Sequence, residues 1–129
     1  MKAQTRKMQG GQEYESGERC FITEVSNDHG DEQVSIARAR VPPGVTTCWH
    51  RLHGIAERYI IASGQGWVEI EGLEPGEVIE GDVVRIPPGY RQRITNTGTP
   101  DLIIYCVCTP PYEERFYELL EPGSEKLPG

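Results

Sequence analysis

At 129 residues the chain has the size of one domain, and its 36% hydrophobic and 26% charged content suits a packed core under a water-facing surface. Its formal net charge of -7 opposes binding to a phosphate backbone, so nucleic acid is excluded as an expected partner. The longest apolar run, Leu102 to Cys108, falls far short of the roughly 20 residues that span a bilayer, so no membrane partner is expected. Four cysteines (Cys20, Cys48, Cys106 and Cys108) lack a CxxC pair. Together with an N-terminus free of a secretory pattern, they point to reduced thiols and a cytoplasmic location.

Residues 1–18 are polar and Gly-rich and read as a flexible arm, or as a strand that orders only against a neighbour. Cys20 to Val25 reads as the first strand, and the cluster Asn27-Asp28-His29-Gly30-Asp31 as a turn. Gln33 to Val41 alternates, with Ala37, Ala39 and Val41 on one face and Arg38 and Arg40 on the other. Val45 to Leu52, Glu57 to Ala62, Trp67 to Glu71, Val83 to Ile86, Tyr90 to Thr95 and Leu102 to Cys108 continue the strand series. Pro42-Pro43-Gly44, Gly64-Gln65-Gly66, Glu74-Pro75-Gly76, Pro87-Pro88-Gly89 and Asn96-Thr97-Gly98 punctuate it. Short strands between regular turn signals make an all-β sandwich or barrel. Only Tyr112 to Leu120 holds a helical period, with Tyr112, Phe116, Leu119 and Leu120 on one face. The remainder, Glu121 to Gly129, reads as coil. The expected organisation is an arm over 1–18, a barrel over 19–111, and a helix with a tail over 112–129.

Two segments carry a resemblance. Gly44 leads through five residues to His50, Glu57 follows, and Gly64 comes six residues later. Gly81 then leads through five residues to Pro87-Pro88-Gly89, and Asn96 closes the second segment. In this order they resemble the two motifs of the cupin family. The resemblance covers roughly residues 33–108 and implies a double-stranded β-helix, a jelly-roll barrel without exposed edges. In the family, two histidines and a glutamate of the first motif and a histidine of the second usually hold a divalent metal. This chain keeps His50 and Glu57, but has Leu52 and Gln92 at the other two positions.

The resemblance therefore implies an inward group of His50, Glu57 and Gln92, able to hold one divalent transition metal (Zn, Mn, Fe or Ni) with water completing the shell. Alternation adds Cys48, Leu52, Tyr59 and Tyr90 to the pocket lining. A bulge beyond His50 would bring His53 inward as a second imidazole; strict alternation turns it outward. A metal-free pocket is the other arrangement, with Glu57 paired to His50. Arg51, Arg58, Arg91 and Arg93 fall on the outer parity, as do Trp49 and Ile60, whose apolar bulk suggests a homodimer.

Two functions fit. One is a metal-dependent enzyme of oxygenase, isomerase or lyase type acting on a small polar metabolite; the other is a cupin that binds or senses a small molecule without chemistry.

Overall fold

The computed structural model describes residues 1–8 and 11–121. Of the coil expected over 121–129, residues 122–129 lie outside the described residues.

Among the described residues, eleven strands run in chain order: β1 (Glu13–Glu15), β2 (Phe21–Ser26), β3 (Ser35–Val41), β4 (His50–Leu52), β5 (Ala56–Ser63), β6 (Gln65–Ile70), β7 (Gly76–Ile79), β8 (Val83–Ile86), β9 (Gln92–Asn96), β10 (Leu102–Thr109) and β11 (Tyr117–Leu119). They form two antiparallel sheets, ordered β1-β2-β3-β10-β5-β8 and β11-β4-β9-β6-β7. Facing each other, the two sheets make the all-β, double-stranded β-helix that the motifs imply. No helix among the described residues is long and apolar enough to cross a membrane.

The inner positions of the alternating strands supply the core. Val41, Ile61, Ile94, Leu102 and Ile104 are almost completely buried in one cluster that draws on both sheets. Each such side chain contributes about 2 kcal/mol of burial, which holds the sheets face to face. A smaller cluster of Leu52, Ile55 and Cys108 lies under Tyr112, Phe116 and Tyr117. The turns fix where each strand begins. Gly64 has a φ of +91°, and a Cβ there would stand 2.9 Å from the Asp101 carbonyl oxygen. Only glycine suits both the left-handed backbone and the close approach.

The C-terminal segment departs from the sequence expectation. Its expected helix is a single 3₁₀ turn, Glu114–Phe116, followed by β11. Tyr117, Glu118 and Leu119 pair with Leu52, Arg51 and His50 of β4. The open edge of β4 offers hydrogen bonds, and Phe116 and Tyr117 bury against the Leu52 cluster. Those tertiary gains outweigh the weak propensity of one short helical period. In the expected arm, β1 pairs with β2 through Glu13–Thr23, Tyr14–Ile22 and Glu15–Phe21.

Outside the barrel, Arg51 binds Glu118 and Arg93 binds Glu69. Trp49 is not bare. Arg93 and Arg91 stack over its ring at 4.5 and 5.2 Å.

Candidate functional site

Between the sheets lies a cavity of about 220 Å³, lined by both of them. The first sheet contributes Glu57 and Tyr59 from β5 and Cys106 and Cys108 from β10; the second contributes His50 and Leu52 from β4. Register explains the convergence. Glu57 sits beside Cys108, Tyr59 beside Cys106, and His50 opposite Gln92.

His50 is held from two sides. Its Nδ1–H donates to the Cys48 carbonyl oxygen at 2.9 Å, and its ring stacks on Tyr117 at 5.3 Å between centroids. With the proton on Nδ1, the neutral ring carries its lone pair on Nε2. The Glu18 carboxylate stands 3.7 Å from Nδ1.

Gln92 is buried, and its amide oxygen accepts a hydrogen bond from the Tyr59 hydroxyl across the two sheets. Its amide nitrogen is thereby left to favour the Glu57 carboxylate. Burial drives the Tyr59 hydroxyl well above its ordinary pKa, with the nearby Glu57 charge adding to the effect. Tyr59 therefore stays a neutral donor.

Glu57 is the exceptional group. It is 7% exposed, and its Oε1 has no hydrogen-bond partner among the described residues. Burial pushes its carboxyl up to about 7 against the attraction of His50, with Gln92 and Cys106 also favouring the ionised form. A carboxyl with one orphaned oxygen inside a cavity requires either its own proton or a donor brought by a ligand. Burial and the Glu57 charge also raise the Cys106 thiol well above the ordinary range, so it is an unreactive neutral group.

The structure brings His50, Glu57, Leu52 and Tyr59 together on the cavity lining and places Gln92 behind it, bonded to Tyr59. It separates three other candidates from them. Tyr90 lies in the turn before β9, where strand parity does not apply, and is 43% exposed. Cys48 is buried outside the cavity lining, with its sulfur 3.9 Å from the Gly17 carbonyl. His53 points outward and binds Glu118, so no bulge brings it in.

The expected metal set is only partly available in this arrangement. His50 Nε2 and Glu57 Oε1 are two available donors, but the Gln92 oxygen is engaged by Tyr59. No group of three or more His, Cys, Asp or Glu side chains among the described residues is arranged to hold a metal ion.

Sequence reasoning missed Glu18 and Tyr117, which also line the cavity. Glu18 reaches it because the Cys48 N–H bonds its carbonyl, and Tyr117 because β11 joins β4. Neither residue carries a local sequence signal for these long-range pairings.

The family model described as Cupin domain matches residues 37–108, more than half of the chain. An uncharacterised protein of Methanocaldococcus jannaschii is 38% identical over 87 residues, 67% of this chain and 69% of that protein. An (R)-mandelonitrile lyase of Granulicella tundricola is 38% identical over 58 residues, 45% of this chain and 44% of the lyase. Among solved structures, a tyrosine-to-phenylalanine variant of Streptomyces PAC13 with uridine superposes with a TM-score of 0.77 at 15% identity, covering 94% of this chain and 93% of that one. PAC13 is described as a nucleoside dehydratase. A predicted oxalate decarboxylase of Thermotoga maritima gives 0.74 at 23% identity, covering 83% of this chain and 99% of that one. At these identities the structural likeness shows the fold, and the sequence match assigns the family. The chain belongs to the cupin family.

Proposed function

We propose that this chain is an enzyme that moves protons on a small polar molecule held in the barrel, in a lyase, dehydratase or isomerase type of reaction. The carrying observation is Glu57, an orphaned carboxyl that lines the cavity and is pushed up to about 7. Near neutral pH such a group is present in both protonation states, which suits a general acid–base. His50 Nε2 is its counterpart, because Nδ1 is committed to Cys48. The Tyr59–Gln92 bond orients the Gln92 amide nitrogen toward Glu57. Two relatives support the class, one described as a nucleoside dehydratase and one as a mandelonitrile lyase.

Solvent deuterium incorporation tests the reading. The protein is incubated in D2O with a panel of small hydroxy, amino and carbonyl compounds, and NMR follows C–H exchange or elimination. A responding compound should lose at least about 100-fold of its rate in Glu57→Gln. An unchanged rate would remove Glu57 from the chemistry. Binding of a panel member without exchange or elimination would favour the non-catalytic binding cupin.

In the metal-dependent alternative the Gln92 oxygen serves the metal with its second lone pair, or releases Tyr59 to do so. Elemental analysis of protein purified without added metal bears on it directly. A transition metal near one equivalent, lost in His50→Ala, would favour that alternative.

A further inference from the structure

We propose that the cavity takes a small protonated amine, a cation bearing N–H donors, and rejects carboxylates and phosphates. This rests on the reading of the cavity as the substrate site and names its substrate class. Four carboxylates line the cavity: Glu57 inside it, Glu18 beside His50, and Glu24 and Glu114 on exposed positions. Among the described residues, no Arg or Lys lines it.

Arginines that alternate with lining residues along their strands are bound elsewhere: Arg38 and Arg40 to Glu13, Arg40 also to Asp101, Arg51 to Glu118, and Arg58 to Thr109. Among the described residues, His50 is the single lining group that could offset the negative charge, and its Nδ1–H is turned to a backbone carbonyl. A cavity with one sign of charge and low-dielectric walls concentrates that field, raising the local concentration of cations and opposing anions.

Charge alone would not make a ligand site. The second observation is Glu57 Oε1, on a buried residue that lines the cavity, without a hydrogen-bond partner among the described residues. An acceptor in that position is satisfied by an N–H donor, and a charged donor gives the stronger bond. A carboxylate or phosphate would face this oxygen with another lone pair. A quaternary ammonium would supply charge but no hydrogen. A protonated amine supplies both. Tyr14, Tyr112 and Tyr117 add aromatic rings to the lining, which suit a cation by their electron-rich faces. At about 220 Å³ the cavity is smaller than a drug-sized pocket, so the ligand is a compact one.

Three probes of nearly equal shape separate charge from fit: benzylamine, benzyl alcohol and benzoate. Calorimetric titration of the full chain at low salt and pH 7.5 should show benzylamine binding at least about tenfold more tightly than benzyl alcohol, with benzoate undetectable at millimolar concentration. Glu114→Gln, at an exposed position, should narrow the amine-to-alcohol ratio, and Glu18→Gln should narrow it further.

Equal binding of amine and alcohol, tighter binding of benzoate, or no binding of any probe would overturn the amine assignment. The acid–base reading fails separately. Equal amine and alcohol binding, with both lost in Glu57→Gln, would overturn the amine and leave Glu57 at the site. Amine selectivity alongside deuterium exchange indifferent to Glu57→Gln would do the opposite.

Discussion

Gln92 and Asn96 begin and end the same strand and are equally buried, at 1% exposure each. The regions around them differ in what their polar atoms hold. The Asn96 side chain donates to the Val41 and Pro100 carbonyl oxygens and accepts from the Gly98 N–H. Its own backbone bonds Val45 and Gly44. Gln92 instead accepts from the Tyr59 hydroxyl, beside a Glu57 oxygen that has no partner among the described residues. A side chain tied to the backbone at several points welds loops together. One tied to other side chains can change partners when a ligand arrives. The difference separates a structural amide from a site amide where burial alone does not.

The largest effect expected from this contrast is at Asn96. Asn96→Ala removes three hydrogen bonds and leaves two carbonyls and one N–H without their partner. At about 1 to 2 kcal/mol for each, the loss is about 4 kcal/mol, read as a drop in denaturant midpoint. A loss below about 1 kcal/mol would mean that water replaces the amide and that the weld is not needed.

Glu57→Gln should act in the opposite direction. Burial raises the Glu57 carboxyl from 4.5 to about 7 in the folded chain. Between these values the folded chain keeps a proton that the unfolded chain has released, so stability falls as pH rises through the interval. Above pH 7 the full cost is about 3 kcal/mol, from roughly 1.4 kcal/mol for each pH unit. Glu57→Gln should therefore be more stable than the parent by up to about 3 kcal/mol at pH 8. The gain should shrink to about 1 kcal/mol or less at pH 5, while proton exchange is lost at both. A gain that is the same at both pH values would show that the carboxyl titrates normally.

The same contrast explains how much was legible in the sequence. Gly44, Gly64, Gly81, Gly89 and Asn96 fall at turns and welds whose geometry admits few residue types, so local spacing revealed them. His50, Leu52, Glu57, Tyr59 and Gln92 lie on regular strands, where alternation fixes the facing side. Cys48 and Tyr90 lie just outside β4 and β9, and parity failed there. The helical period of its segment predicts a helix at Tyr117, yet the free edge of β4 decides its structure. Glu18 was invisible for a related reason: its place depends on a backbone bond to Cys48, thirty residues away in sequence. Contacts of that range leave no pattern in a local window.

Tyr59→Phe sharpens the comparison by removing one bond from the Gln92 side alone. The buried amide oxygen loses its donor, at a cost of about 1 to 2 kcal/mol. The freed oxygen also becomes a third donor beside His50 and Glu57. Zinc titration should therefore show weak or absent uptake by the parent and tighter uptake by Tyr59→Phe. Equal uptake by both would mean that Tyr59 does not control the amide.

The smallest stability effect is expected on the outer face, where Ile60 and Val83 are register partners and are 41% and 57% exposed. The homodimer expected from the outward parity of Trp49 and Ile60 is here a proposal resting on this pair, because Trp49 is already roofed by Arg91 and Arg93. Ile60→Glu removes apolar surface that the isolated chain leaves in water, so it should change the stability of one chain by less than about 0.5 kcal/mol. Across a dimer interface the same carboxylate would be desolvated beside its symmetry mate, where like charges disfavour association. Light scattering at tens of micromolar should then give a dimer for the parent and a monomer for Ile60→Glu. A monomeric parent would sink the dimer. A dimer that survives Ile60→Glu would move the interface away from this pair.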